Sequence, residues 1–173
     1  MTSSPAPAGS GSSPLTSLRT TVGALLVSPV VLVGVVALVL WPEREPYPVW
    51  AIPAAVILVA LGFLAAQLFG YPRRPVTGKT PQERGRKSRA RFTTETFTRF
   101  VLTEAPVLIA VVLSFVLTSP FPLFAAASFG IVSMAWHTWP GERRIAEAEE
   151  RYSADGQPAY LREALEGHPV PDA

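Results

Sequence analysis

One acid stands inside an otherwise apolar run. Glu104 lies in FVLTEAPVLIAVVLSFVL, residues 100–117, with Pro106 two positions on. An ionisable side chain at membrane depth is costly and marks a functional site by default. Pro106 has no N–H to give the carbonyl of Leu102, which leaves an unpaired acceptor one turn from the carboxylate. A protonated Glu104 can donate to such a group, and a cation can be held by both. Counted from Pro120, Glu104 is 16 residues back and His137 is 17 residues forward. An antiparallel hairpin therefore sets the two at similar depth, and a carboxylate beside an imidazole in a partly dry site is a proton or cation station. The competing reading is structural. Glu104 can snorkel to the interface or pair with Arg99, and His137 can be an interfacial residue.

Little else in the chain is equipped for chemistry. There is no cysteine, which removes thiolate metal sites, disulfides and a Cys nucleophile. The phosphate-cradling, nucleophile-elbow and zinc-protease patterns are absent. The two histidines, His137 and His168, are 31 residues apart with one in a polar tail, so no metal site and no cofactor are expected. Ser28, Ser114, Ser128 and Ser133 read as helix-packing hydroxyls. The sequence argues against an enzyme.

The elements that would position Glu104 and His137 are uninterrupted apolar blocks, the pattern of an all-α polytopic membrane protein. Four transmembrane helices are expected, at residues 21–41, 49–70, 100–117 and 123–139, each close to the roughly 20 residues a bilayer core needs. Residues 1–20 are rich in Ser, Pro, Gly and Ala and are expected to be a disordered tail. Pro29 sits inside the first span, and Pro53 in the first turn of the second, where a missing N–H matters little. The PEREPYP loop, residues 42–48, cannot be helical. Trp41, Tyr47 and Trp50 flank it at interface positions. Gly62, Ala66 and Gly70 fall four apart and form a smooth ridge for close helix approach, and Gly130 adds a second small surface. Thr118–Pro122 is a tight turn.

Residues 71–99 are strongly basic. Between Arg73 and Arg91 there are eight basic residues against one acid, Glu83. Thr80-Pro81-Gln82-Glu83 is a capping box with proline at the first helical position, so a helix starts there and can run unbroken into the third span, with Glu95 and Arg99 as an i, i+4 surface pair. Arg84, Arg86, Lys87, Arg89 and Arg91 are the expected contacts for anionic lipid. Phe92 and Phe97 are too few for a stacking platform, so nucleic acid is not expected. The 140–173 tail carries eight acids and four basic residues and can dock on the basic loop. Ile145, Ala148 and Tyr152 share one face of a short helix. Leu161, Ala164 and Leu165 share one face of a second, which stops at Gly167.

Four spans put both termini on the side of the 71–99 loop. The opposite side carries only Arg44 as a basic residue, so the positive-inside bias makes the termini cytoplasmic in an inner membrane. The excess of Arg over Lys and the abundant Ala, Val and Pro are similar to a high-GC bacterium such as an actinobacterium. In layout and composition the chain resembles the small four-span integral membrane proteins of actinobacteria, a resemblance that implies no activity. Glu-Ala-Pro in an apolar helix is faintly similar to rotor-ring subunits of rotary ATPases, but their carboxylates lie near mid-membrane and the glycine-rich partner helix is missing. Small multidrug exporters also have four spans and one membrane Glu, but theirs is in the first span. The expectation is a non-enzymatic accessory or scaffold-like protein that contacts the bilayer and binds another membrane protein or itself. The alternative is a small proton-coupled transporter or channel-like oligomer using Glu104.

Overall fold

The computed structural model describes residues 13–170. Every regular element among them is a helix: α1 (Pro14–Leu40), α2 (Ala51–Phe69), α3 (Pro81–Val116), α4 (Phe121–Thr138), α5 (Glu142–Tyr152) and α6 (Leu161–Glu166). The first four are long and apolar enough to cross a membrane. Their outward side chains, such as Val31 and Leu38 on α1 or Leu64 and Leu68 on α2, are exposed. Apolar surface on that scale fits lipid and not water. This is a multi-pass membrane protein.

α3 is the spine. Its 36 residues span about 54 Å at the helical rise, far more than the roughly 30 Å of a hydrocarbon core. Its C-terminal half packs between α2 and α4, on a core that includes Val107, Ala110, Leu123 and Met134. Its N-terminal half projects beyond the bundle and carries a second core. There Phe92 meets Leu15, Leu18 and Val22 of α1, Ile145 and Tyr152 of α5, and Leu161 and Leu165 of α6. These parts form a folded cap on the side of the bundle that carries both ends of the described chain. Burial of each large side chain there contributes on the order of 1.5–3 kcal/mol.

Helix ends follow their local chemistry. The Thr80 hydroxyl accepts from the Glu83 N–H at 3.2 Å. The Glu83 carboxylate takes the Lys79 N–H at 2.9 Å, one residue earlier than a standard capping box would. The Ser114 hydroxyl accepts the Leu123 N–H at 3.1 Å, which satisfies one orphan donor in the first turn of α4. The 42–48 loop is tied to the α3–α4 turn by the Glu45 N–H, which donates to the Thr118 carbonyl at 3.0 Å.

Two expectations need correction. Residues 14–20 are not a disordered tail but the first turns of α1, and residues 1–12 lie outside the described residues. Ser13 caps this helix by accepting from the Thr16 N–H, Pro14 occupies its first position, and Leu15, Leu18 and Val22 recur on one face that the cap buries. Glu95 and Arg99 are not a surface pair. Glu95 is buried and bridges Arg91 at 2.9 Å and Arg151 at 3.3 Å. Arg99 is 1% exposed and makes no ion pair among the described residues.

Candidate functional site

His137 and Glu104 take different surroundings. His137, 1% exposed, meets the Tyr71 hydroxyl through Nδ1 at 2.9 Å and packs edge-to-face with the Phe63 ring, their centroids 4.6 Å apart. Its Nε2 is buried without a hydrogen-bond partner among the described residues. Glu104 is half-buried, and its carboxylate makes no hydrogen bond or ion pair among the described residues. No bond joins the two, so the structure does not assemble the carboxylate–imidazole pair that their equal depth suggested.

The small-residue ridge is used inside the chain. A Cβ on Gly62 would stand 2.5 Å from Pro106 Cγ and 2.9 Å from the Leu102 carbonyl oxygen, the acceptor that Pro106 leaves without its helical donor. A Cβ on Gly70 would run into the Arg99 stem, and one on Gly130 would come within 2.5 Å of a Val107 methyl. Ala66 is fully buried. These residues seat α2 and α4 on α3 and leave no smooth face of theirs for an outside helix.

The basic run is also divided. Arg84 is buried and holds Asp155 in a two-pronged pair at 3.0 Å for each contact. It also donates to the Pro158 and Gln157 carbonyls. That pairing holds the Asp155 carboxyl below the usual carboxylate range. Arg91 binds Glu95 and the Pro72 and Arg74 carbonyls, and Lys87 pairs with Glu83 at 2.8 Å. Arg84 and Arg91 are therefore structural ties within the cap and not lipid contacts. Arg86 and Arg89 stay exposed. The tail does dock on the basic segment, as opposite charges suggested. Its contact is a specific guanidinium–carboxylate fork with a Ser88–Ala159 hydrogen bond of 2.8 Å beside it.

A different group of residues converges where α2 leaves the bundle. Three guanidiniums surround the Tyr71 ring, Arg99 at 4.7 Å, Arg144 at 5.2 Å and Arg151 at 5.3 Å from its centroid. Each comes within the reach of a cation–π contact. Arg144 also donates to the Trp136 carbonyl at 3.0 Å and pairs with Glu147 at 2.9 Å. Arg91 and Arg151 lie over the neighbouring Tyr152 ring. Burial, with Glu95 next in effect, raises the Tyr152 hydroxyl pKa well above its ordinary value.

The carboxylates here are shared out. Glu95 serves Arg91 and Arg151, and Glu147 serves Arg143 and Arg144. Beside this cluster opens a cavity of about 640 Å³, lined among others by Gln67, Tyr71, Arg73, Arg144 and Arg151. Sequence reasoning did not find it. The available signal was Arg144 and Arg151, seven apart on one helix face, together with Tyr71 at the end of a span. The chain matches no protein-family model, no curated protein and no solved structure.

Proposed function

We propose that this chain is a non-enzymatic accessory or scaffold protein of the inner membrane, with both termini cytoplasmic, that holds a rigid cap against the bilayer. The observation that carries this reading is the cap itself. The start of α1, the basic half of α3 and the acidic tail close on one core and are locked by the Arg84–Asp155 fork. Parts that fold together so tightly form a platform for a partner rather than free tethers. The orientation rests on the basic residues of the cap side against the single Arg44 opposite. The partner is another membrane protein or a second copy. It would meet the outer sides of the bundle or the cap, because the Gly62, Ala66, Gly70 and Gly130 faces are occupied.

A second reading, a small proton-coupled transporter or channel-like oligomer, is favoured by Glu104, which lies inside a span with no side-chain partner among the described residues. Proton and cation flux in proteoliposomes, wild type beside Glu104→Gln, separates the two. The accessory reading expects no flux that depends on Glu104. Flux that Glu104→Gln abolishes would replace it with the transporter. Because the chain has no cysteine, single Glu43→Cys and Glu150→Cys variants report orientation. Membrane-impermeant maleimide should label the first and spare the second in intact cells, and the reverse pattern would overturn the orientation.

A further inference from the structure

The arginine-lined cavity does not end at the cap. Gln67 lines it and also lines an apolar groove of about 710 Å³ between α2 and α4, whose other walls include Val56, Phe63, Phe129 and Trp136. The Trp136 carbonyl is held by Arg144, and the Trp136 ring lies under Arg143 at 4.5 Å. The polar and apolar compartments are thus joined at two points. From Val56 to Gln67 the groove runs about 16 Å along α2, close to half of the roughly 30 Å hydrocarbon core. It is one leaflet deep, and its polar end lies at the cap side.

We propose that this joined groove and cavity bind one acidic phospholipid, with its phosphate among Arg73, Arg144 and Arg151 and an acyl chain between α2 and α4. Charge complementarity selects that occupant. Arg144 and Arg151 line the cavity while holding Glu147 and Glu95, and Arg73 is exposed at the rim. Arg99, over the Tyr71 ring, adds a fourth positive charge with no ion pair among the described residues. Glu147 and Glu150 also line the cavity, but Glu147 is shared between Arg143 and Arg144. The balance at the mouth stays positive. A planar guanidinium presents paired donors that match a phosphate. A zwitterionic headgroup would bring its own cation to the same arginines and forfeit that match. The assignment stands apart from the accessory reading, and either can fail alone.

The test is native mass spectrometry of the purified full chain, titrated with phosphatidylglycerol or with phosphatidylcholine of the same acyl chains. Glycerol phosphate serves as the soluble probe. One phosphatidylglycerol should bind in clear preference to phosphatidylcholine, and glycerol phosphate should not compete at equal concentration. Arg73→Gln, which breaks no internal side-chain bond among the described residues, should weaken binding roughly five-fold, the effect of one basic charge near a headgroup. Arg144→Gln should weaken it at least as much. Ala60→Trp, which fills the groove and leaves the charges alone, should also displace the lipid. Arg86→Gln/Arg89→Gln should leave binding unchanged.

Equal binding of both lipids would overturn the proposal, as would Arg73→Gln behaving like wild type. So would a loss in Arg86→Gln/Arg89→Gln matching that in Arg73→Gln, because attraction would then be diffuse. Tight binding of glycerol phosphate that persists in Ala60→Trp would reassign the cavity to a soluble phosphate compound.

Discussion

Gly62 allows a sharp test of how α2 and α3 fit together, because the chain supplies its own control. A Cβ at Gly62 would lie 2.5 Å from Pro106 Cγ and 2.9 Å from the Leu102 carbonyl oxygen. Carbon contacts are comfortable at about 3.5–4.0 Å, so Gly62→Ala must part the helices by about 1 Å. Neither obstacle can rotate away, since one is a ring and the other is backbone. A radial gap of about 0.5–1 Å already forfeits a quarter to a half of each contact along the seam. Overpacking of this kind costs about 1–3 kcal/mol. Gly34 lies within α1 and has nothing within 4 Å of its would-be Cβ. Gly34→Ala therefore keeps only the helix-propensity gain, up to about 1 kcal/mol. Both substitutions lie inside helices and share the propensity gain, so they should differ by the overpacking cost alone, about 1–3 kcal/mol, with Gly62→Ala the less stable. Thermal unfolding of both variants in the same lipid nanodiscs, followed by tryptophan fluorescence, reads this directly. Equal midpoints, or a less stable Gly34→Ala, would refute the packing of α2 on Pro106.

The acid limb of stability should belong in part to Asp155. Arg84 holds its carboxyl below the ordinary value of 3.8, so its contribution is complete above that value and is lost as pH falls through the lower folded one. Protection of the α6 amides, taken relative to the intrinsic exchange rate at each pH, should fall as pH drops below about 4, and Asp155→Asn should show no such acid step. An unaltered acid step in Asp155→Asn would remove the assignment. On the other side of the bundle, Gly130→Ala should strain against the Val107 methyl. Val107→Ala opens that space, so the double variant should be more stable than the sum of the singles by about 1 kcal/mol. Strict additivity in the unfolding cycle would show that the two residues are not in contact.

What could be read in advance was what depends on neighbours in sequence. The apolar blocks, the Thr80–Glu83 cap, the unbroken helix from Pro81 into the third span and the faces of α5 and α6 all rest on periods and caps within a dozen residues. They stand in the structure. The start of α1 was missed although its signals were local. Ser13-Pro14 and the Leu15, Leu18, Val22 spacing were outweighed by the composition of the preceding tail. Glu104 and His137 share a depth, but depth fixes one coordinate of a helix pair and not the rotation of each helix about its axis. His137 is turned to Phe63 and Tyr71 of the α2 side, a choice that the packing of three helices makes together.

Charge is where reading along the chain misleads most. Arg84 and Arg86 are two residues apart, which on a helix is about 200° of rotation. One therefore enters the cap to grip Asp155 while the other faces out. A run of basic residues on a helix is not a patch in space, because the helical period deals its members alternately to the core and to solvent. The converse holds at Tyr71. Arg99, Arg144 and Arg151 come from α3 and α5 and belong to no single run, yet they meet around one ring. Each could be brought there only because the cap core closes α5 onto α3. Convergence of that kind leaves guanidiniums in excess of carboxylates at the rim of an apolar groove. Arg144 and Arg151 keep their acid partners and still line the cavity beside the exposed Arg73, so it is the positive balance left over, and not a set of unpaired arginines, that can recognise something outside the chain.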